Sequence, residues 1–404
     1  MISSRSIARC ALLLTVAFAS FGGRASARAD APLEGWQHEL LDLAWGGATK
    51  VPVRPHLKTR ARLAESVVDA ALALEQPALA LSLAEQIETW RRGTALAACA
   101  RAAAERGDAI AARRLVDLAL AVAANPPAKE TQEWQRDRIL STVAQALVLL
   151  GEESAAARLE IGLSESESGR SGVEHAARVT AEALDAQLIL LDPVLATGTL
   201  DQLRHAVGTL LALHRRFRDD PAHRAAIEQR LEGALPKLPL DVRVGFLLER
   251  SAADVERAEL PAALAHLDEA QQAIDSTRWS ADLLVPMLAR IAAARHHAGD
   301  TARARLDLDA ALARFHAERT RINDIDRCDA LLPVAEAYAE LRDPAAALVV
   351  YRLAAEAAVE NPNSRPRADD LVPLCLSLAR HDVAPDAPFL ALIRSHFQQM
   401  GDPW

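Results

Sequence analysis

From about Ala61 onward the chain repeats one pattern that leaves few folds open: apolar residues at i, i+3, i+4 and i+7, broken at intervals by short turn signals. That spacing gathers the apolar side chains on one face of a helix, and such a face must be buried against another element. The breaks read Glu75-Gln76-Pro77, Gly107-Asp108, Gly151-Glu152, Ala258-Glu259, Gly299-Asp300 and Arg342-Asp343-Pro344. Each lies between two amphipathic stretches and carries an acid or a proline where the next helix begins, a position that favours both. Every break therefore joins two antiparallel helices. Composition points the same way. The chain is 50% hydrophobic but only 4% aromatic, so its apolar content is mainly alanine and leucine. These are strong helix formers, while the residues that strands need are scarce. The expected fold is all-α, and 404 residues must extend as a repeat array or split into domains.

The best unit places Leu331, Val334, Ala335 and Tyr338 before the turn and Ala347, Tyr351 and Ala354 after it, with Asn361-Pro362 closing the pair. A second unit gives Leu288, Ile291 and Ala292, then Ala304, Leu308 and Ala311. A third gives Leu96, Ala100 and Ala103, then Ala112, Val116 and Ala119. This alternation of bulky and small sites resembles the tetratricopeptide repeat. Weaker units lie around Val67, Leu140 and Leu247; the second helix of the middle one carries Glu160 at a bulky site. Unit starts fall about 32, 44, 41 and 43 residues apart, against roughly 34 for that family. The resemblance implies an α-solenoid of stacked antiparallel helix pairs, TPR-like, whose first helices line a concave binding surface. Projecting the family's binding positions puts Arg101, Glu105, Arg138, Gln145, Asp329, Glu336 and Glu340 on that surface. The N-terminal part of this set offers Arg101 and Arg138, and the C-terminal part Asp329, Glu336 and Glu340.

Residues 1–29 have the order of a secretory signal peptide. Arg5 and Arg9 precede an apolar run from Cys10 to Phe21, followed by Ala25-Ser26-Ala27 and Ala27-Arg28-Ala29. The expected location is the periplasm or outside the cell, with no transmembrane span after cleavage. Residues 30–60 read as an extended lead punctuated by Pro32, Pro52 and Pro55, and residues 61–163 as N-terminal repeats. Residues 164–243 read as a flexible Gly/Ser-rich loop followed by an irregular helical insert, and residues 244–404 as C-terminal repeats with terminal helices. This divides the array into two blocks.

Net charge of -9 and a pI near 5.8 offer no basic face for nucleic acid. Cys99, Cys328 and Cys375 stand singly in helical patterns and read as buried free thiols, although a bridge between the last two is conceivable. No nucleotide, zinc-protease, nucleophile-elbow or C-x-x-C motif occurs, and no cofactor or metal is expected. His296-His297 diverge by about 100° on a helix and cannot share one ion at the usual spacing. They suit a helix C-terminus, as does the basic cluster His214-Arg215-Arg216-Phe217-Arg218. Glu65-Ser66, Glu165-Ser166 and Glu167-Ser168 match the catalytic Glu-Ser of exported lytic transglycosylases, but the last two lie in a Gly/Ser-rich run that reads as a solvated loop, which would leave a general acid unperturbed. Two functions remain. One is a non-catalytic protein- or peptide-binding scaffold; the other is an all-α glycan-active enzyme with carboxylates in a helical cleft.

Overall fold

The computed structural model describes residues 32–127 and 132–404, so the expected signal segment lies outside the described residues. All regular structure among them is helical. The α-helices are α1 (Gly35–Lys50), α2 (Val53–Ala73), α3 (Pro77–Glu85), α4 (Arg91–Glu105), α5 (Ala109–Ala124), α6 (Glu133–Leu149) and α7 (Glu153–Glu160). There follow α8 (Gly172–Ala176), α9 (Ala181–Thr197), α10 (Leu200–Arg216), α11 (Pro221–Ala234), α12 (Leu240–Glu256) and α13 (Leu260–Asp275). The last are α14 (Ala281–His297), α15 (Thr301–Glu318), α16 (Arg327–Glu340), α17 (Pro344–Ala357), α18 (Ser364–Arg380) and α19 (Ala387–Gln398). The segment expected as an extended lead is thus helical: α1 occupies most of it and α2 begins at Val53. Pro52 directly precedes α2, where a missing N–H costs nothing, and Pro55 lies in a kink near its start, where Arg54 and His56 depart from helical geometry.

One device makes nearly every turn. Glu75, Gly107, Gly151, Ala258, Gly299, Arg342 and Asp382 all have positive φ, each just past the end of a helix. The following N–H returns to a carbonyl five residues back, as in Asp108 to Ala103 at 2.9 Å, Asp300 to Arg295 at 2.9 Å and Asp343 to Tyr338 at 3.0 Å. This closes the helix and satisfies its last carbonyls. In three of these turns the residue that donates this bond then caps the next helix with its side chain. Asp108, Asp300 and Asp343 accept from the backbone N–H of Ala111, Arg303 and Ala346 at 3.0, 3.1 and 2.9 Å. The turns thereby fix seven hairpins of similar geometry, with the array's own spacing.

In each pair the first helix packs on the first helix of the next pair, while the second helices stand apart. Splaying of this kind curves the array and puts the first helices on the inside. The curve closes. α18 packs on α2 as successive inner helices do, and α1 packs against α18 and α2 as an outer helix packs on its own partner and on the next pair. The N-terminal helix therefore completes the C-terminal repeat, and α2, α4, α6, α10, α12, α14, α16 and α18 form the inner wall of a ring, with the short α8 between α6 and α10. At the seam Gln37 Nε2 donates to the Ala379 carbonyl at 3.0 Å and Lys50 Nζ to that of Phe397 at 3.0 Å. Gly47 lies directly under the Phe397 ring, where a Cβ would come within 2.2 Å of a ring carbon.

The core follows the ring. One continuous cluster runs from α1 through α7 and resumes from α14 through α19, crossing the seam. The sites that the repeat pattern demands are in it or beside it: Ala100, Val116, Ala335, Ala347, Tyr351 and Ala354 are all fully buried. A second cluster spans α8 to the start of α12, and two small ones join α12, α13 and α14. The two blocks expected on either side of the insert consequently share one core through the seam.

The run Ser164 to Gly172 is not the loose loop its composition suggests. Its middle residue, Glu167, is fully buried, and Ser164 N donates to Asp137 Oδ2 at 2.9 Å. His205 Nδ1 meets the Ser168 carbonyl at 2.8 Å. The loop fills the space between α6 and α10 that a regular pair would occupy.

Candidate functional site

The positive-φ residue of each such turn gives the same ruler to every inner helix except α10, which has none after it. Positions 2, 6, 9 and 13 residues before it share one helical face, and that face is turned into the ring. Nearest the turns it carries Glu105, Glu256, His297, Glu340 and Arg380, and beneath them Asp69, Arg101, Gln145 and Glu336. Deeper still come Ser66, Thr142, Glu249 and Arg290, then Arg62, Arg138, Asp329 and Asp369. All seven residues projected from the repeat pattern fall on this face. They do not form one site. Arg101, Glu105, Arg138 and Gln145 lie on α4 and α6, and Asp329, Glu336 and Glu340 on α16, with α18 and α2 between.

Several of these side chains are already engaged. Arg138 Nε donates to Glu167 Oε1 at 2.6 Å, and Gln145 Nε2 to the Arg170 carbonyl at 3.4 Å, so both hold the insert loop. Arg101 lies 3.9 Å from Glu105 and 3.7 Å from Glu174. Glu336 accepts from Ser377 Oγ at 2.6 Å, which in turn bonds Tyr351 OH at 2.8 Å, and His381 lies 3.7 Å away. Glu340 meets His297 Nε2 at 2.9 Å, a hydrogen bond that raises the imidazole's pKa. Asp329 alone among the seven has no hydrogen bond or ion pair. Burial and the neighbouring Asp326 push its carboxyl up.

The inner wall also holds groups that the sequence reading did not single out. Asp69 is exposed to water, yet the surrounding protein and then Glu65 push its carboxyl up to about 6. A group that touches solvent and is still desolvated sits on the wall of a narrow space. Glu65, one turn away, is held by Arg91 and Thr94 of α4. Asp369 pairs with Arg62 of α2 and lies 3.3 Å from Arg365, and Asp370 is buried behind it. Glu249 of α12, flanked by Arg215 and Arg290, has its carboxyl raised by burial. Counting back from the turn residues would have found Asp69, Glu249 and Asp369, because the same ruler places Arg101 and Arg138.

Other expectations are altered. Glu167 is not solvated: Arg138, Ser141 Oγ at 3.0 Å and Arg170 at 3.1 Å surround it. That ionic cage fixes the loop. His214 of the basic cluster is buried, with Nε2 on Glu228 at 2.9 Å, so it offers nothing to a surface partner. Cys99, Cys328 and Cys375 are buried free thiols; burial raises all three, Cys99 to about 12, which makes them poor nucleophiles. Among the described residues no group of His, Cys, Asp and Glu is placed to hold a metal ion, and no helix is long and apolar enough to cross a membrane.

The fold and its inner wall define the class: an α-solenoid of helix pairs closed into a ring. The chain is similar to a solved structure described as a circular tandem repeat protein with novel repeat topology and enhanced subunit contact surfaces. Identity is 15%, coverage is 90% of this chain and 94% of that one, and the TM-score is 0.28. No family model matches the chain, and no curated protein does.

Proposed function

We propose that this chain is a non-catalytic repeat scaffold of the tetratricopeptide kind, exported to the periplasm or beyond the cell, that holds an extended protein or peptide segment against the inner wall of its ring. The observation that carries this reading is the closure itself. Eight inner helices at ~9 Å spacing leave an opening on the order of 10–15 Å, enough for an extended chain. The wall around it is lined with charged and amide side chains that the core does not use. Rows of such groups suit a polar backbone and mixed side chains. The ionic cage around Glu167 and the pairing of Glu336 keep much of the wall rigid, which limits the ordering cost of binding.

A photo-crosslinking residue placed at Gln145, inside the ring, should capture a peptide partner from the cell envelope, and one at Leu306, exposed on the outer helix α15, should not. Equal capture from both positions would refute an inner binding wall. A second reading rests on Asp69 and Glu65. A carboxyl raised to about 6 beside a second carboxylate one helical turn away is the equipment of a glycan-active enzyme. Asp69→Asn separates the two: it should leave peptide capture intact on the scaffold reading and abolish glycan cleavage on the other.

A further inference from the structure

We propose that the deep end of the α16–α18 arc is a docking site for an ammonium or guanidinium group carried by an extended basic segment. This deepens the scaffold reading and rests on it. The geometry begins with two carboxyls that have no partner. Asp370, 3% exposed, accepts no hydrogen bond at its side chain, and Asp329 faces the ring interior with none either. Around them stand Asp369 on α18 and Asp324 and Asp326 in the turn before α16. Asp324 and Asp326 are occupied by Asn361 at 3.1 Å and Asn323 at 2.9 Å, and Asp369 by Arg62 and Arg365. Nearby Arg327 is turned away onto Glu360.

The arc therefore gathers five acids, and the cations beside it are already taken: Arg62 and Arg365 by Asp369, and Arg327 by Glu360. Asp370 makes no side-chain hydrogen bond in a pocket it shares with four other aspartates, and the partner such a pocket lacks is a cation. Along α16 the inward face continues with Glu336 and Glu340, so a basic segment docked at the deep end runs over further acids toward the turns. Burial and the surrounding aspartates hold the Asp370 carboxyl up at about 9, so it is protonated at neutral pH. A cation arriving beside it lowers that value and drives the proton off. Binding is then coupled to proton release.

The test is isothermal titration calorimetry of the full chain at pH 7.5, with hexalysine amide, hexaglutamate and putrescine as probes. Hexalysine should bind, hexaglutamate should not, and affinity should fall as salt rises. The heat of hexalysine binding should vary with the ionisation enthalpy of the buffer, reporting a released proton. Asp370→Asn should remove that proton and weaken binding about tenfold, Asp329→Asn should weaken it similarly, and Asp117→Asn on the outer helix α5 should change nothing. Asp370→Asn keeps the shape and removes a buried acid, so the variant is expected to fold. Equal affinity in all variants, or no proton release, would overturn the proposal. Putrescine binding as tightly, with the same proton release, would assign the site to free diamines and overturn the extended-segment part. Capture of peptides at Gln145 with no preference for hexalysine would overturn this inference and leave the ring reading standing.

Discussion

The closed ring makes a demand that an open array does not: damage at the N-terminal helix must be felt at the C-terminus. Leu40 and Leu41 of α1 are 0% and 2% exposed and belong to the same core cluster as Leu371, Phe389 and Ile393. Leu40→Ala removes a buried side chain where relaxation is restricted, since α1 is pinned by Gln37 and Lys50 and wedged under Phe397. Fully buried Leu→Ala changes cost roughly 2–5 kcal/mol, with the larger values where the site cannot collapse, so a loss of about 3 kcal/mol is expected. In hydrogen exchange followed by mass spectrometry, that loss corresponds to exchange on the order of 100-fold faster wherever the α1 core controls opening. The acceleration should appear in α18 and α19 as well as in α1 and α2. Ile110→Ala, at a site 87% exposed, should change neither. Faster exchange confined to α1–α3, with α18 and α19 unchanged, would refute closure as an energetic fact and return the molecule to two separable blocks.

Three further outcomes follow from local structure. Ala258 and Arg342 hold positive φ, which costs an L-residue roughly 1–2 kcal/mol, so Ala258→Gly and Arg342→Gly should each raise stability by about 0.5–1 kcal/mol in urea melts. Ala347 is fully buried at a helix contact, and Ala347→Leu should destabilise by about 1–3 kcal/mol, while Val349→Leu, 64% exposed, should leave the melting temperature unchanged. Finally, His396 of α19 is 9% exposed and neither ring nitrogen has a partner; burial and then Arg367 lower its pKa, against the weaker opposing pull of Glu356. The fold thus favours the neutral imidazole, its contribution is complete above the unfolded value near 6.5, and stability falls as pH drops below that. His396→Phe should remove this component of the acid sensitivity; an unchanged pH profile would count against it.

Much of the architecture was written locally. Helical periodicity, the turn residues and the small sites at Ala100, Ala335, Ala347 and Ala354 depend on neighbours within one repeat, and sequence spacing carries such information directly. The projected wall residues were legible for the same reason, since the repeat fixes which face of the inner helix looks inward. What could not be read was anything that joins distant segments. The lead reads as extended because its prolines are ordinarily helix breaks, whereas tertiary burial of Leu40, Leu41 and Ala44 against α18 makes it a helix. The Gly/Ser-rich run looked flexible because Arg138 and Arg170, which cage its Glu167, lie on different elements and only packing brings them together. Nothing in the spacing of α18 marks Asp370, and only the approach of α16 buries it among other aspartates. The sequence by itself determined the repeating unit and its turns. Tertiary structure decided that the array closes, because closure depends on a small rotation accumulated over eight pairs, and no single repeat encodes where that rotation ends.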